Sequence, residues 1–159
     1  MNVVGKRIKR VDALEKVTGK ALFADDLRFG DMLYAKVLRS PVPHAEIKKV
    51  DTSRAKELKG VRAVLTARDI PGENRIGVLG DPFRDQPVLA DEKVRHIGDP
   101  IALVAADSKE IAEEAIKLIG VEYKELMPVF DPLEAMREDA PRIHQAGNIV
   151  SHRKIRRGD

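Results

Sequence analysis

Apolar and polar residues alternate with a period of two through Met32–Arg39 (MLYAKVLR). Leu33, Ala35 and Val37 share one face, while Tyr34 and Leu38 lie on the other, which predicts a strand covered on both sides. Pro41 and Pro43 end that ladder, because neither can donate a backbone hydrogen bond. Ala45–Val50 resumes as a strand, followed by a short helix over Asp51–Gly60. Asp51 or Thr52 would cap that helix, Ala55 and Leu58 would face inward, and Gly60 would permit a left-handed stop. Val61–Thr66 reads as a strand. Val94–Ile97 and Ile101–Ala106 read as two strands around a tight Gly98–Asp99–Pro100 turn, and the second, apolar throughout, as a central one. The 3.6-residue period is strongest in Asp107–Ile119, where Ile111, Ala112, Ala115, Ile116 and Ile119 form one stripe and Asp107 with Glu110 suggests a capping box. Val121–Leu126 predicts another strand, Pro132–Arg137 a helical turn and Ile149–Arg156 a last strand. Asp12–Asp26 reads as a connector followed by a short strand, and Pro71–Pro87, rich in glycine and proline, as an irregular loop. Helices and strands mix without regular βαβ spacing, which predicts an α+β fold.

Composition narrows this only slightly. The 159 residues suffice for one domain with a real core. Aromatics make up only 4%, so the core must be aliphatic. The longest apolar run, Ile101–Ala106, is far short of a membrane span, and the first residues show no leader pattern. With no cysteine, the chain can hold neither a disulfide nor a thiolate-ligated iron–sulfur cluster. A cytoplasmic location is the expectation. The net charge of +3 conceals two basic ends, Lys6–Arg10 and Arg153–Arg157, around a more acidic middle. Neither end interleaves stacking aromatics, so a protein-facing or solvated role is expected rather than nucleic acid.

Reactive constellations are scarce. His44, His96, His144 and His152 sit at no metal-ligand spacing. Thr18–Gly19–Lys20 lacks the upstream glycine and the following hydroxyl of a phosphate loop, and Gly72, Gly77 and Gly80 do not form a dinucleotide fingerprint. Asp25 and Asp26 are adjacent and point apart in an extended chain. Arg157–Gly158–Asp159 matches an adhesion tripeptide common by chance. Ser40 and His44 could be a nucleophile and a base, yet no orienting acid or oxyanion cue accompanies them, and two prolines fix the backbone instead. The residues alone therefore identify no catalytic, cofactor-binding or metal site. His44 is expected to be hydrogen-bonded or exposed.

Three segments in order, RSPVPHAEI (39–47), VRHIGDPIALVAAD (94–107) and VEYKELMPVFD (121–131), resemble the N-terminal part of the molybdenum-binding subunit of the xanthine dehydrogenase and aldehyde oxidase family. The resemblance extends over almost the whole chain, least clearly in 71–87. It implies an α/β-hammerhead, with a mixed sheet and two main helices, as a single domain over 1–159. Residues 1–20 would be a connector and first strand, and 149–159 a junction to a missing cofactor-binding domain.

The family hydroxylates purines, aldehydes and N-heterocycles with molybdopterin, [2Fe–2S] clusters and usually FAD. Its molybdenum-facing residues, a GGFGGK-type segment and a catalytic glutamate, lie well downstream of the matching region, so no position here inherits their roles. The resemblance implies a chain inactive alone, without bound cofactor. Its partners would be the rest of the large subunit, the iron–sulfur component and the FAD component, without nucleic acid or membrane. The rival is a freestanding protein-binding module or separately encoded subunit; a carrier domain is disfavoured because no lysine sits in a hairpin flanked by methionines. A cut-out domain would expose apolar surface at both chain ends and at 71–87.

Overall fold

The computed structural model describes residues 3–77 and 84–158. The chain divides into two compact units, Met1–Met32 and Leu33–Asp159.

In the first unit, α1 spans Ala13–Val17. Its end explains the Thr18–Gly19–Lys20 triplet. Gly19 adopts a φ of 71°, and Lys20 N donates to Glu15 O (2.8 Å) while Gly19 N donates to Lys16 O (3.3 Å). This pair of bonds satisfies the last free carbonyls of the helix and requires a left-handed residue at the glycine position. A single 3-10 turn, Ala24–Asp26, follows. The short strand expected within 12–26 is not formed, because local turns take up the backbone donors instead.

Among the described residues, the second unit holds six strands in two three-stranded antiparallel sheets. β1 (Tyr34–Arg39), β5 (Pro100–Ala106) and β3 (Val61–Thr66) form one, with β5 in the middle as its apolar run predicts. β4 (Lys93–Val94), β2 (Ala45–Asp51) and β6 (Gly120–Glu125) form the other. The α+β class holds, with the strands split between two antiparallel sheets rather than joined in the expected mixed sheet. β4 and β5 accordingly do not pair with each other across the Gly98–Asp99 turn; the chain changes sheet there.

Helix α3 (Lys109–Lys117) packs across β1, β5 and β3. Ala112 and Ala115 meet Ala102, Val104, Ala106 and Val64 in a core built from small aliphatic side chains. Short α2 (Ser53–Glu57) adds Ala55 to it. The cap of α3 differs from the expected Asp107/Glu110 box. Ser108 is the N-cap, and its Oγ accepts from Ile111 N (3.3 Å). Asp107 instead receives Arg62 Nε and a guanidinium NH2 at 2.7 and 2.9 Å. A second core cluster, Ala45, Ala90, Val94 and Ile101, lies under the other sheet. α4 (Pro132–Ala135) is a single turn whose N-cap, Asp131, accepts from Leu133 N and Glu134 N. The last strand expected at 149–156 is absent; these residues have no regular structure. Within the loop expected at 71–87, Ile76 and Gln86 form an isolated bridge, and residues 78–83 lie outside the described residues.

Candidate functional site

The motif Arg39–His44 joins β1 to β2 and therefore crosses from one sheet to the other. Ser40 is 2% exposed. Its Oγ donates to Val42 O (2.8 Å) and accepts from Val42 N (3.1 Å), folding the two prolines into a turn. Its backbone ties to another crossing, between β4 and β5: Ser40 N donates to Asp99 O (2.9 Å) and Gly98 N to Ser40 O (2.8 Å). Arg39 adds a guanidinium bond to Gly98 O (2.8 Å). Gly98, with a φ of 94°, supplies the left-handed residue this turn requires.

Asp99 is 6% exposed and closes the same turn from inside. Its Oδ2 accepts from Arg95 N (2.5 Å) and His96 N (3.3 Å), and its Oδ1 lies 2.9 Å from His96 Nε2. Two backbone donors, the amides of Arg95 and His96, thus satisfy a buried carboxylate, which is how such a group is tolerated away from water. Sequence reasoning named His44 and Ser40 but passed over Asp99 as turn punctuation. The signal available was its place between Gly and Pro.

His44 is 3% exposed. A carbonyl can only accept, so the 2.7 Å contact to Met127 O places the proton on Nδ1. His44 O accepts in turn from Leu126 N (2.9 Å), which clamps the start of β2 to the end of β6. Ser40 and His44 are therefore turned to backbone groups of different segments. The remaining histidines are scattered. His96 contacts Asp99 and, through Nδ1, Ile97 O (2.9 Å). His144 stands 3.3 Å from Asp85, and burial pushes its pKa down against the pull of that carboxylate. His152 is exposed. Asp25 and Asp26 serve separate turns: Asp26 accepts from Phe23 N (3.0 Å), while the carbonyl of Asp25 accepts from Arg28 (2.6 Å). Among the described residues, no three His, Asp or Glu side chains converge in the way a metal ion would require.

The features that remain are surfaces. Large apolar side chains are exposed along the first unit, including Val11 at 99%, and in the C-terminal stretch, including Ile155 at 93%. Ile76 and Val88 are exposed beside the irregular loop. These are the three places expected. A fourth, around Met127, Phe130, Leu133 and Met136, was not anticipated. Arg153, Lys154, Arg156 and Arg157 are all exposed next to Ile155.

Comparisons with known proteins identify the family of the chain. Residues 18–127 match the family model described as aldehyde oxidase and xanthine dehydrogenase, a/b hammerhead domain. The chain is 49% identical over 150 residues to one of the probable xanthine dehydrogenase subunits of Bacillus subtilis (strain 168), covering 94% of this chain and 20% of that one. It is 47% identical over 157 residues to the nicotinate dehydrogenase large molybdopterin subunit of Eubacterium barkeri, covering 99% of this chain and 36% of that one. The crystal structure of the aldehyde oxidoreductase from Desulfovibrio desulfuricans ATCC 27774 superposes with a TM-score of 0.83 at 35% identity, over 92% of this chain and 17% of that one. The chain thus spans between a fifth and about a third of the length of these curated relatives. It belongs to the aldehyde oxidase and xanthine dehydrogenase family, and residues 18–127 correspond to that family's a/b hammerhead domain.

Proposed function

We propose that this chain works as the hammerhead part of the large, molybdenum-binding subunit of a molybdopterin-dependent hydroxylase or dehydrogenase. The observation that carries the reading is one of extent: nearly all of the chain aligns with one segment of much longer large subunits. Its role is structural, to pack against the cofactor-binding remainder of that subunit and to help hold the redox centres together. The substrate class implied is a purine, aldehyde or N-heterocycle. The complete enzyme uses molybdopterin, [2Fe–2S] clusters and FAD, the last two on an iron–sulfur and a FAD component, in the cytoplasm. The described residues do not fit a molybdenum centre of their own. Ser40, His44 and Asp99 are engaged with backbone groups, and the chain has no cysteine to offer a cluster. No residue here is assigned a catalytic, cofactor-binding or metal role.

The test is to purify the 159-residue chain alone and then mix it with the rest of the large subunit. The expected result is no stoichiometric molybdenum, no flavin absorbance and no hydroxylation by the chain alone, and a complex on mixing. Bound molybdenum or flavin in the pure chain overturns the structural role. A strict monomer that never binds the remainder favours an independent module instead.

A further inference from the structure

Two buried polar atoms of the second unit find no hydrogen-bond partner among the described residues: His44 Nε2 and Arg95 Nε. Leaving a buried donor or acceptor unused is costly. The needs of these two are opposite. His44 Nδ1 gives its proton to Met127 O (2.7 Å), so Nε2 of the neutral ring keeps its lone pair and can only accept. Arg95 Nε carries a hydrogen and can only donate. The guanidinium is otherwise placed, with NH1 donating to Lys93 O (3.3 Å).

Both residues line one cavity of about 310 Å³. Its other walls are mostly apolar: Pro43, Ile97, Pro128, Phe130 and Ile143. The remaining polar residue of the lining, His96, is already taken up by Asp99 and by Ile97 O. Ile97 is 64% exposed and Phe130 79%, so two of the apolar walls also face outward. Pro128 and Phe130 lie just past residue 127, where the match to the hammerhead model ends. The cavity thus sits between the hammerhead region and the segment that follows it.

This combination selects an occupant. A carboxylate cannot donate to Nε2, and an ammonium group cannot accept from Arg95. A hydroxyl does both at one atom. The apolar walls favour a hydroxyl carried on a ring. Tyrosine buries an apolar body while its O–H finds a partner, and it is enriched where interfaces concentrate their binding energy. The chain covers only 20% and 36% of two of its relatives, so most of a large subunit is available to supply that side chain.

We propose that this cavity is the seat of a tyrosine from the remainder of the large subunit, its hydroxyl donating to His44 Nε2 and accepting from Arg95 Nε. This rests on the reading of the chain as one part of that subunit. Both atoms lie beneath the surface, so entry requires a wall to give way, and side-chain changes of that kind are common on binding. Phe130, the more exposed wall, is the one expected to move.

The nitrogen-15 signal of His44 Nε2 reports whether its lone pair is bonded. The full chain is titrated with p-cresol, the side chain of tyrosine, and separately with toluene and acetamide. p-Cresol is expected to move the Nε2 signal. Toluene, which lacks the hydroxyl, is expected to bind about tenfold more weakly or worse, because it leaves both polar atoms unpaired. Acetamide is expected to leave the signal in place. On forming the complex with the rest of the subunit, the signal is expected to move as it does with p-cresol, and added p-cresol then has no further effect.

Toluene binding as well as p-cresol makes the cavity merely apolar and overturns the inference. Acetamide acting as p-cresol does assigns the seat to an amide and overturns it. No movement with any probe leaves the two atoms to solvent and overturns it too. A complex that forms while the His44 signal stays unchanged overturns the inference and leaves the proposed function standing. Failure of any complex to form overturns both.

Discussion

Among the described titratable side chains, His44 and Asp99 are buried most deeply, and each is held by backbone groups rather than by an opposite charge alone. Asp99→Ala leaves the amides of Arg95 and His96 without their acceptor inside the protein. That is expected to lower stability by about 2–3 kcal/mol, seen as a fall in Tm of roughly 5–10 °C for a domain of this size. Thermal unfolding by circular dichroism checks it, and a change within about 1 °C would contradict the role given to the carboxylate. His44→Ala removes the bond to Met127 O and is expected to lose about 1–2 kcal/mol. In the complete enzyme kcat should stay within a few-fold at full cofactor loading; a loss of about a thousandfold, the scale for removing a catalytic group, would refute the structural assignment. Little of this was legible beforehand. The sequence marks Ser40 and His44 as polar residues flanking two prolines, but the backbone partner of the His44 ring, Met127 O, lies 83 positions away, and the Ser40 backbone meets Gly98 and Asp99 of a distant turn.

The strongly patterned elements were readable in advance: β3 matches its expected bounds, and the apolar run of β5 announced a central strand. Failures occurred where competing local bonds decide. Asp107 and Glu110 satisfy a capping template, yet Arg62 draws Asp107 away and Ser108 takes its place. Ser108→Ala is therefore expected to cost about 1 kcal/mol, the usual value of an N-cap, whereas Glu110→Gln changes stability by a few tenths at most; urea unfolding of the two variants separates them. The stop of α2 gives a second check. Gly60 has a φ of 91°, and a Cβ there would stand 2.7 Å from Ile111 Cδ1. Gly60→Ala should lose about 1–2 kcal/mol from the left-handed backbone plus the contact with α3. Adding Ile111→Val removes the offending methyl, so the double variant is expected to lose less than the sum of the single ones, as coupled neighbours do. Strict additivity would mean that the contact is not felt.

At the scale of the whole molecule, charge and apolar exposure set behaviour in solution. Hydrogen bonds from Thr66 hold the Asp69 carboxyl below its usual range, and bonds to Ser53, Lys36 and Lys48 do the same for Asp51, Glu113 and Glu46. A carboxylate with a lowered folded-state pKa binds fewer protons than its unfolded counterpart, so its contribution is complete above the unfolded value and is lost as pH falls. Stability is thus expected to be level near neutrality and to decline below about pH 5, and midpoints measured from neutral pH down to about pH 3 check it. A rise on acidification would show that repulsion dominates. Three of the four apolar regions, the two chain ends and the 71–87 loop, were expected from the sequence. Around Met127–Met136 only the exposure seen in three dimensions reveals the fourth. With so much uncovered apolar surface, the isolated chain is expected to associate weakly and in proportion to concentration in sedimentation experiments.

Two of the passages between the sheets, β1 to β2 and β4 to β5, are fastened to each other. Ser40 lies on one and Gly98–Asp99 on the other, and Arg39 spans both. Neither sheet can therefore swing free while the other keeps its path, because releasing one strand-to-strand passage strips the partners from the second. The pair behaves like a rivet through two leaves, with the leaves opening together or staying shut. Native-state amide exchange would register this as shared fate. The amides of Ser40, Arg95 and Gly98, each bonded within these two passages, would exchange at the slow rate of β5 rather than at the fast rate of ordinary loops. The sheet bearing α3 and the sheet without a long helix would lose protection in a single step.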